Sequence, residues 1–572
     1  MTLPLSDLEI LWGVKIPMRD GVKLQATVCR PKGPAPTPLI VAVTPYIADS
    51  IHERGRYFSR HGYAFAAVDC RGRGNSGGTF IGHEQDAEEG VDTVSWLATQ
   101  PWCDGRVAMW GGSYVGQNQW ATIKDRPDAL KTIVPAAAAH PGIDVPFAGQ
   151  TALADEIRWS ILVNSRTANR FLYDDEELWR ERCYELYSHH LPFSTLDTLA
   201  GIPSQMIQED IRHPPHDPYW KEQGLSPEQY RAIDIPILTI TGHYDDDQAG
   251  ALHYYRQHMR HGSPEAIARH FLVIGPWDHP GTRTPEREFG GLSFGEASLV
   301  DLNDLHRRWY DWVLTEGSRP EFLKDRVMYY VPGEERWRHA PSLEAMSDEI
   351  RTLFLRPNGG GAGDVFQAGG LSAEEPEEST PDSFIYNPLD LRPGELERGA
   401  DPVSFTDQRW AMAIDGDALV YRSEAVAEEF VIAGFVKLVL FMSLDVPDTD
   451  FRVSLSEIIA DGGHILLGES FMRARYRNSR WRPELVPEGE ICRYVFEDFP
   501  FFARRVARGS RLRLVVRCVN SILYEKNYNT GGVIGEERVE DARVAHVTLY
   551  HDADHASRIE LPLAADPLLQ GE

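Results

Sequence analysis

The sequence predicts an α/β fold for the first part of the chain and an all-β domain for the last part. In the first part, short runs that are apolar at every position alternate with segments of helical pattern. Such runs are typical of strands buried on both faces of a parallel sheet, and their alternation with helices indicates βαβ units. Beyond residue 400, turn residues separate β-rich runs, which indicates a sandwich or jelly roll.

The elements of the first part follow in chain order. Strands are predicted at 39–43, 63–68, 107–110, 133–136, 235–240 and 271–274. A helix is predicted at 91–97, between two of the strands, and another at 301–314. In the second helix the apolar side chains share one face: Leu302, Leu305, Trp309, Trp312 and Val313.

Residues 145–231 interrupt this alternation. Aromatic and charged residues mix there at helical spacing and no strand run is present, which predicts a helical insertion. Farther along, β-rich runs are found at 436–441, 511–518 and 545–550. We therefore expect a core made of residues 1–144 and 232–345, an insertion at 145–231 and a β-domain at 346–572.

Charge and cysteine content limit the partners and the compartment. The chain has 58 Lys+Arg against 86 Asp+Glu in 572 residues, a formal net charge of −28. Such a field repels phosphate backbones and anionic lipid, so we expect neither a nucleic acid nor a membrane partner. The six cysteines are scattered without a CxxC pair, which predicts neither a zinc site nor a disulfide framework. The first residues do not resemble a signal peptide and no apolar run reaches about 18 residues, so we expect a cytoplasmic protein.

Ser113 is the candidate nucleophile. It lies between a predicted strand and a helix-forming segment, directly after Gly111 and Gly112. A sharp strand-to-helix turn needs small neighbours, because its strained backbone brings residues two positions away close to the nucleophile. Position 115 is valine and Gly116 follows it, so the pattern is G-x-S-Y-x-G and not the strict G-x-S-x-G. An ordinary Gly-Ser turn is the alternative.

A serine hydroxyl needs a base to take its proton, and the base needs an orienting acid. The predicted strand at 235–240 leads to Asp245, and the strand at 271–274 leads to His279. The resulting chain order, serine then aspartate then histidine, is that of the sheet hydrolases. Open α/β sheets also place their ligands at the carboxyl ends of strands.

Alternatives stay open at this point. Asp246 and Asp247 follow Asp245, so the position of the acid is uncertain by one or two residues. His243 is a rival base, although a base two residues from its own acid would be unusual. For His279 the alternative is a histidine of a surface loop.

The oxyanion formed by nucleophilic attack needs preorganised donors. One candidate is the backbone N–H of Tyr114, the residue after the nucleophile. The second donor is expected from the loop after an early strand, where the hydroxyl of Tyr46 is available. A core aromatic residue whose hydroxyl reaches water is the alternative for Tyr46.

Two other classes of function have weaker support. His213, His216 and Asp217 would suit a metal site, but prolines between the two imidazoles forbid a helical metal-binding face and favour a loop. A binding protein is the other class, since jelly rolls bind glycans and an inactive core would act as a scaffold. The intact set of candidate catalytic residues argues against a scaffold.

The candidate residues belong to longer phrases that resemble the CocE/NonD hydrolases. This family includes cocaine esterase, α-amino acid ester hydrolases, glutaryl-cephalosporin acylases and the X-Pro dipeptidyl-peptidases. The resemblance spans nearly the whole chain. The phrases are IPMRDGV at 16–22, TPY at 44–46, DCRGRGNSGG at 69–78, QPWCDGRV at 100–107, GGSYVG at 111–116, GHYD at 242–245, GPWDH at 275–279, DTDF at 448–451 and NYNTG at 527–531.

The resemblance implies an α/β-hydrolase core, a helical cap and a C-terminal β jelly roll. It implies Ser113 as nucleophile, Asp245 as orienting acid and His279 as base. Tyr46 and Tyr114 would form the oxyanion hole. The implied mechanism is acyl transfer through a serine ester, with no metal or organic cofactor.

The substrate implied by the resemblance is a small-molecule ester or amide. In the amino-acid ester hydrolases a carboxylate cluster holds the ammonium group of the substrate. Asp247 matches one member of that cluster, but Gln248 stands where that subgroup has a carboxylate. We therefore expect an esterase for neutral acyl groups, with an amidase, acylase or X-Pro dipeptidyl-peptidase as the alternative. Phe147 and Trp159 are expected in the acyl pocket or in the packing of the cap, and a homo-oligomer is left open.

Overall fold

The computed structural model describes residues 2–401 and 403–565. The strands of the first part are β1 (Leu8–Pro17), β2 (Lys23–Pro31), β3 (Thr37–Thr44), β4 (Ala64–Asp69), β5 (Cys103–Gly112), β6 (Leu130–Ala136), β7 (Phe147–Ala148), β8 (Thr151–Ala152), β9 (Ile237–Tyr244), β10 (His270–Asp278), β11 (Glu288–Phe289), β12 (Leu292–Ser293), β13 (Val327–Val331) and β14 (Arg336–Ala340). Each strand predicted for the core is confirmed, as β3, β4, β5, β6, β9 and β10.

The core sheet has the strand order β1-β2-β4-β3-β5-β6-β9-β10-β13-β14. The strands from β4 to β13 in this order are parallel, and the two edges are closed by antiparallel strands. Because parallel strands present their carboxyl ends at one edge, the residues that follow β3, β5, β9 and β10 lie at the same side of the sheet. All the candidate catalytic residues come from these four strand ends.

The helices are α1 (His52–Arg60), α2 (Asp86–Ala98), α3 (Tyr114–Ile123), α4 (Ala154–Leu162), α5 (Arg170–Tyr173), α6 (Glu176–Ser188), α7 (Leu196–Leu199), α8 (Gln205–Asp210), α9 (Pro218–Gln223), α10 (Pro227–Ala232), α11 (Gln248–His261), α12 (Pro264–Ile267), α13 (Leu302–Leu314), α14 (Arg392–Arg398) and α15 (Arg409–Met412). The two predicted core helices are confirmed as α2 and α13. Both faces of the sheet are covered, since α2 and α3 pack on one face and α1 and α13 on the other. Alternate residues of β3 enter the two cores, Leu39 and Val41 on one side and Ile40 and Ala42 on the other.

Helices α4–α9 form the cap, which has its own apolar core around Ile157, Trp179 and Trp220. Helix α10 packs on the α/β core instead, where Tyr230 contacts Trp120. The expectation that no strand occurs in this segment is wrong in one place. The short strands β7 and β8 pair as a hairpin at its beginning. Two residues per strand are too few to produce a recognisable sequence pattern.

The last part of the chain is a β jelly roll. Its strands are β15 (Glu349–Arg356), β16 (Gly369–Ser372), β17 (Asp382–Tyr386), β18 (Ala418–Ser423), β19 (Phe430–Gly434), β20 (Lys437–Leu444), β21 (Asp450–Ile458), β22 (His464–Arg473), β23 (Cys492–Phe496), β24 (Phe502–Val506), β25 (Arg511–Cys518), β26 (Ala545–Tyr550) and β27 (Arg558–Ala564). Inward-facing residues such as Leu440, Val453 and Leu514 form its core. The three predicted β-rich runs are present as β20, β25 and β26.

Hydrogen bonds join the jelly roll to the cap and to the loop region after β9. The N–H of Glu525 donates to the carbonyl of Ala152 at 2.9 Å, next to the cap hairpin. The side chain of Gln248, the first residue of α11, accepts from the N–H of Phe501 at 2.6 Å and donates to its carbonyl at 3.0 Å. The jelly roll therefore contacts both the β7–β8 hairpin of the cap and the first residue of α11, just after the loop that carries the candidate acid Asp245.

Strands β1, β2, β13 and β14 were outside the sequence expectations. Strands β1 and β14 lie at the sheet edges, where polar and apolar residues mix and many side chains are partly exposed. The phrase at 16–22 forms the end of β1 and a turn, closed by the N–H of Met18 donating to the carbonyl of Val22 at 2.8 Å.

Within residues 2–401 and 403–565, no helix has the length and apolar character needed to cross a membrane. The six cysteines are free thiols.

Candidate active site

Ser113 stands at a sharp turn between β5 and α3. Its backbone has φ 62° and ψ −132°, a conformation that costs energy for a residue with a side chain. Its N–H donates to the carbonyls of Ala136 and Ala137, at 3.0 and 2.8 Å, which fixes the turn against β6. Strain of this kind at a serine is the hallmark of a nucleophile elbow.

The glycines around Ser113 explain the altered sequence pattern. Gly111 has φ 140°, and a Cβ there would lie 2.2 Å from a methyl group of Val115. A Cβ at Gly116 would lie 2.8 Å from the carbonyl oxygen of Ala136. The helix thus approaches β6 closely at position 116, whereas the side chain at 115 fills the space beside Gly111.

His279 and Asp245 form a hydrogen-bonded pair at the neighbouring strand ends. Nδ1 of His279 lies 2.8 Å from Oδ1 of Asp245, whose side chain is fully buried. The other oxygen of Asp245 accepts from the hydroxyl of Thr241 at 2.7 Å, and the N–H of Asp247 donates to Oδ1 at 3.2 Å. An acid held on both oxygens orients the imidazole and leaves Nε2 as the nitrogen that exchanges protons. No pattern in the sequence indicates this contact of Thr241.

A second chain of hydrogen bonds ends on the serine. The indole N–H of Trp159 donates to the Tyr46 hydroxyl at 3.0 Å, and that hydroxyl donates to Oγ of Ser113 at 3.2 Å. Burial raises the pKa of the Tyr46 hydroxyl, so this group keeps its proton as a donor. The N–H of Tyr114 is the first of α3, where the helix itself supplies no acceptor. Two donors are therefore available beside the serine oxygen.

The predicted pocket residues have different surroundings. Trp159 stacks with His83 and Tyr114, with ring centroids 6.4 and 5.9 Å apart, so it belongs to an aromatic cluster beside the Tyr46 hydroxyl. Phe147 is 4% exposed and packs edge-on against Trp220 in the cap core. This position favours the packing role that the sequence left open for Phe147.

Arg73 connects the Tyr46 loop with the cap. Its guanidinium is fully buried and donates to the carbonyl of Pro45 at 2.7 Å and to that of Val163 at 2.6 Å. Pro45 precedes Tyr46, and Val163 follows the helix that carries Trp159. Burial lowers the pKa of Arg73 to about 10, so it stays a cation at neutral pH. The arginine is part of the phrase at 69–78, but its contacts are visible only in three dimensions.

Asp86 contacts Tyr114, the first residue of α3. It is 3% exposed and accepts from the hydroxyl of Tyr114 at 2.8 Å. Burial raises the pKa of Asp86 to about 8. The hydrogen bond from Tyr114 opposes this rise, and repulsion from Glu89 adds to it. A neutral carboxyl thus fixes the ring of Tyr114, the residue that follows Ser113.

Carboxylates crowd the cleft next to His279. Asp155 and Glu156 come from α4, and Asp246 and Asp247 from the loop after β9. Loss of hydration in the cleft, with repulsion from Asp155 and other carboxylates, raises the pKa of Glu156 well above its usual range. The same causes act on Asp246, whose pKa rises to about 6 against the opposing effect of His279. The cleft favours a cation in this region.

The other candidate residues have separate partners. His243 is 5% exposed and packs against Phe501, and burial lowers its pKa to about 3. His213 contacts Asp217 at 3.2 Å, whereas His216 contacts the hydroxyl of Tyr476. The two imidazoles of the cap loop therefore face different neighbours, and no group of three potential metal ligands is found in the described ranges.

The chain matches two protein families. Residues 20–281 match the family described as X-Pro dipeptidyl-peptidase (S15 family), and residues 322–560 match the X-Pro dipeptidyl-peptidase C-terminal non-catalytic domain. Cocaine esterase from Rhodococcus sp. (strain MB1 Bresler) is 28% identical over 580 residues, which cover 98% of this chain and 99% of that protein.

Two solved structures have the same fold over nearly the whole chain. An aminopeptidase from the marine sediment archaeon Thaumarchaeota archaeon has a TM-score of 0.82 at 21% identity, covering 98% of this chain and 97% of its own. An α-amino acid ester hydrolase has a TM-score of 0.79 at 22% identity and covers 97% of both chains.

Proposed function

Because this chain belongs to the CocE/NonD family of serine hydrolases, we propose that Ser113 is the nucleophile with which it cleaves carboxylic esters. The strained turn at Ser113 is the observation that carries the proposal. At this turn, Oγ of Ser113 accepts a hydrogen bond from the Tyr46 hydroxyl. The pair formed by His279 and Asp245 comes from the same edge of the sheet.

The proposed reaction begins with transfer of the Ser113 proton to Nε2 of His279. Oγ attacks the ester carbonyl, and the Tyr46 hydroxyl and the Tyr114 N–H stabilise the oxyanion. Asp245 holds Nδ1–H of His279 and stabilises the imidazolium. The imidazolium then protonates the leaving alkoxide.

Deacylation uses the same groups. Water gives a proton to His279 and its oxygen attacks the carbonyl of the acyl-serine. The second oxyanion collapses by breaking the bond between the acyl carbon and Oγ, the imidazolium returns its proton to Oγ, and the carboxylic acid is released. The half-buried rings of Trp159 and His83, which pack on the buried ring of Tyr114, support a neutral acyl group as the preferred one. Chemistry and binding thus require only side chains and backbone groups of this chain.

The test is hydrolysis of p-nitrophenyl acetate, butyrate and benzoate by wild type and Ser113→Ala. Loss of the nucleophile should lower kcat by roughly 10⁴–10⁶-fold. Thermal melting of both proteins controls for folding. Turnover that survives the substitution would remove Ser113 from this role.

A second candidate is hydrolysis of esters or amides that carry a free amino group. The carboxylates of Asp155, Glu156, Asp246 and Asp247 favour it, because an ammonium group would reduce their mutual repulsion. Gln248 does not join them, since its amide is buried and bonded to the backbone of Phe501.

Phenylglycine methyl ester and Gly-Pro-p-nitroanilide distinguish the two candidates. If amine-bearing substrates are preferred, Asp246→Asn should raise KM for them and leave KM for p-nitrophenyl butyrate unchanged. Equal effects on both substrate types would reject the ammonium role of Asp246.

A further inference from the structure

A cavity on the outer face of the jelly roll is a potential site that the hydrolytic mechanism does not use. It lies where β18, β25 and β21 are neighbours and has a volume of about 240 Å³. Leu512 and Leu514 of β25 face the domain core, so the cavity lies on the opposite side of that strand.

Two arginines of the cavity wall face each other across strands. Arg422 of β18 and Arg513 of β25 are directly opposite in the antiparallel pairing. The Cβ atoms of such partners are about 5 Å apart, and like charges at this separation destabilise a sheet. An anion bound between the two guanidinium groups would relieve this repulsion.

Arg513 is buried without a partner. The residue is 5% exposed, and within the described chain its Nε and one Nη atom have no hydrogen-bond acceptor. Burial, together with the charge of Arg422, lowers the pKa of its guanidinium to about 10. The group is still a cation at neutral pH, and a buried cation without a counter-ion is costly.

The neighbouring arginines of β25 on the same face have counter-ions. Arg517 pairs with Asp417 at 3.0 Å, and Arg511 lies 3.6 Å from Glu424. Arg513 stands between them along the strand, and no carboxylate pairs with it among residues 2–401 and 403–565. Arg511 also lines the cavity, so among these three arginines of β25 the missing charge compensation is specific to Arg513.

We propose that this cavity binds an aliphatic carboxylate whose anionic head lies between Arg422 and Arg513. Guanidinium groups bind carboxylates through two parallel hydrogen bonds, and one anion there compensates two cations. The remaining wall includes Val365, Ile458 and Ile459, so the other end of the ligand is apolar. An inorganic anion would make no apolar contact with these three side chains.

Calorimetric titration with hexanoate tests the binding. The active site also accepts acyl groups, so the informative quantity is the difference between variants. Arg513→Met and Arg422→Met should each weaken hexanoate binding at this site by at least tenfold. Arg517→Met is the matched control, because it removes an arginine of the same strand face outside the cavity, and it should retain the wild-type affinity.

Three further probes identify the ligand chemistry. Acetate lacks the aliphatic chain, hexanol lacks the charge, and inorganic phosphate supplies charge alone. The proposal predicts that hexanoate binds more tightly than each of them in an Arg513-dependent manner. Binding of phosphate with no preference for hexanoate, or hexanoate binding that Arg513→Met leaves unchanged, would overturn it.

Thermal melting gives an independent readout. Without carboxylate, Arg513→Met should raise Tm because it removes a buried uncompensated cation, whereas Arg517→Met should lower Tm because it leaves Asp417 unpaired. Hexanoate should raise Tm of the wild type more than that of Arg513→Met, because only the wild type can bind it in the cavity as well as at the active site. Unchanged ester hydrolysis by Arg513→Met shows that the variant is folded, and a lower Tm for the apo variant would contradict the proposal.

Discussion

At the residue scale, the hydrogen bonds that lead to Oγ of Ser113 come from residues that are far apart in sequence. Oγ of Ser113 receives a hydrogen bond from Tyr46, which precedes it by more than sixty positions. Trp159 of the cap donates to the same tyrosine hydroxyl. This arrangement orients the tyrosine before substrate arrives, which is the condition for effective electrostatic stabilisation of an oxyanion.

Tyr46→Phe tests that role directly. The variant keeps the ring and removes only the donor, so kcat for p-nitrophenyl butyrate should fall by about 10²–10³-fold. KM should change little, because the donor acts mainly on the charge that develops in the transition state. Trp159→Phe is the matched control, since it removes the donor to Tyr46 and should have a smaller effect. A Tyr46→Phe variant with wild-type kcat would exclude the hydroxyl from the reaction.

The sequence predicted the candidate triad better than the groups that support it. Asp245 and His279 follow apolar strands, so their places at the sheet edge could be derived from strand order. Thr241 and Asp86 carry no comparable signal, because each acts through one contact to a residue distant in sequence. The family resemblance added the choice of Asp245 over its acidic neighbours.

At the element scale, Asp86 couples the start of α2 to the start of α3. Its pKa is raised from 3.8 to about 8, so the folded protein holds a proton that the unfolded chain releases. The sign follows from linkage: the contribution of Asp86 to the free energy of unfolding falls as pH rises from about 4 to about 8, and then levels off.

Asp86→Asn should remove this dependence. The amide remains neutral and still accepts from Tyr114, so the variant should gain stability relative to wild type as pH rises. Each unit of pKa shift corresponds to about 1.4 kcal/mol. Tm measured for both proteins between pH 4.5 and pH 9 checks the prediction, and a difference in Tm that stays constant over this range would contradict it.

Arg73 joins two other elements, the loop after β3 and the end of α4. Arg73→Met should lower kcat by about 10- to 100-fold, because small displacements of a positioned group are costly to the reaction. In a Tyr46→Phe background the same substitution should have almost no further effect on kcat, since the group it positions is already absent. Independent, multiplicative losses would assign Arg73 to folding alone.

At the scale of the whole molecule, a buried ionic network links the jelly roll to the cap. Arg473 binds both oxygens of Asp450, at 2.8 and 2.9 Å, and Asn527 donates to the same carboxylate. The hydroxyl of Thr151, in the cap hairpin, donates to Asp450 at 3.1 Å. Two phrases of the family resemblance, at 448–451 and 527–531, therefore meet at the contact between the two parts.

Breaking this network should destabilise the protein strongly. The side chains of Arg473 and Asp450 are 6% and 1% exposed, and removing one partner of a buried pair costs about 3–5 kcal/mol. Arg473→Met should therefore lower Tm markedly. Arg392→Met is the exposed control, whose loss should cost less than about 1 kcal/mol. Equal shifts in Tm for the two variants would show that the network is not a stabilising link.

Most of the core strands with complete burial were predicted from sequence, but the fully buried β13 was not. Strands buried on both faces, such as β3 and β4, produced continuous apolar runs and were predicted at nearly their full length. Edge strands such as β1 and the short hairpin β7–β8 were missed, because half-exposed or very short strands share their composition with loops. The meeting of the jelly roll with the cap rests on contacts between distant residues and has no local signature.

Trapping the acyl-enzyme tests the central claim most directly. Wild type mixed with excess p-nitrophenyl butyrate and quenched within the first turnovers should gain the mass of one butyryl group. Peptide mapping should place that group on Ser113, and Ser113→Ala should gain none. A butyryl group on another residue would contradict the account. So would a wild type that turns over substrate without a covalent adduct while Ser113→Ala remains active.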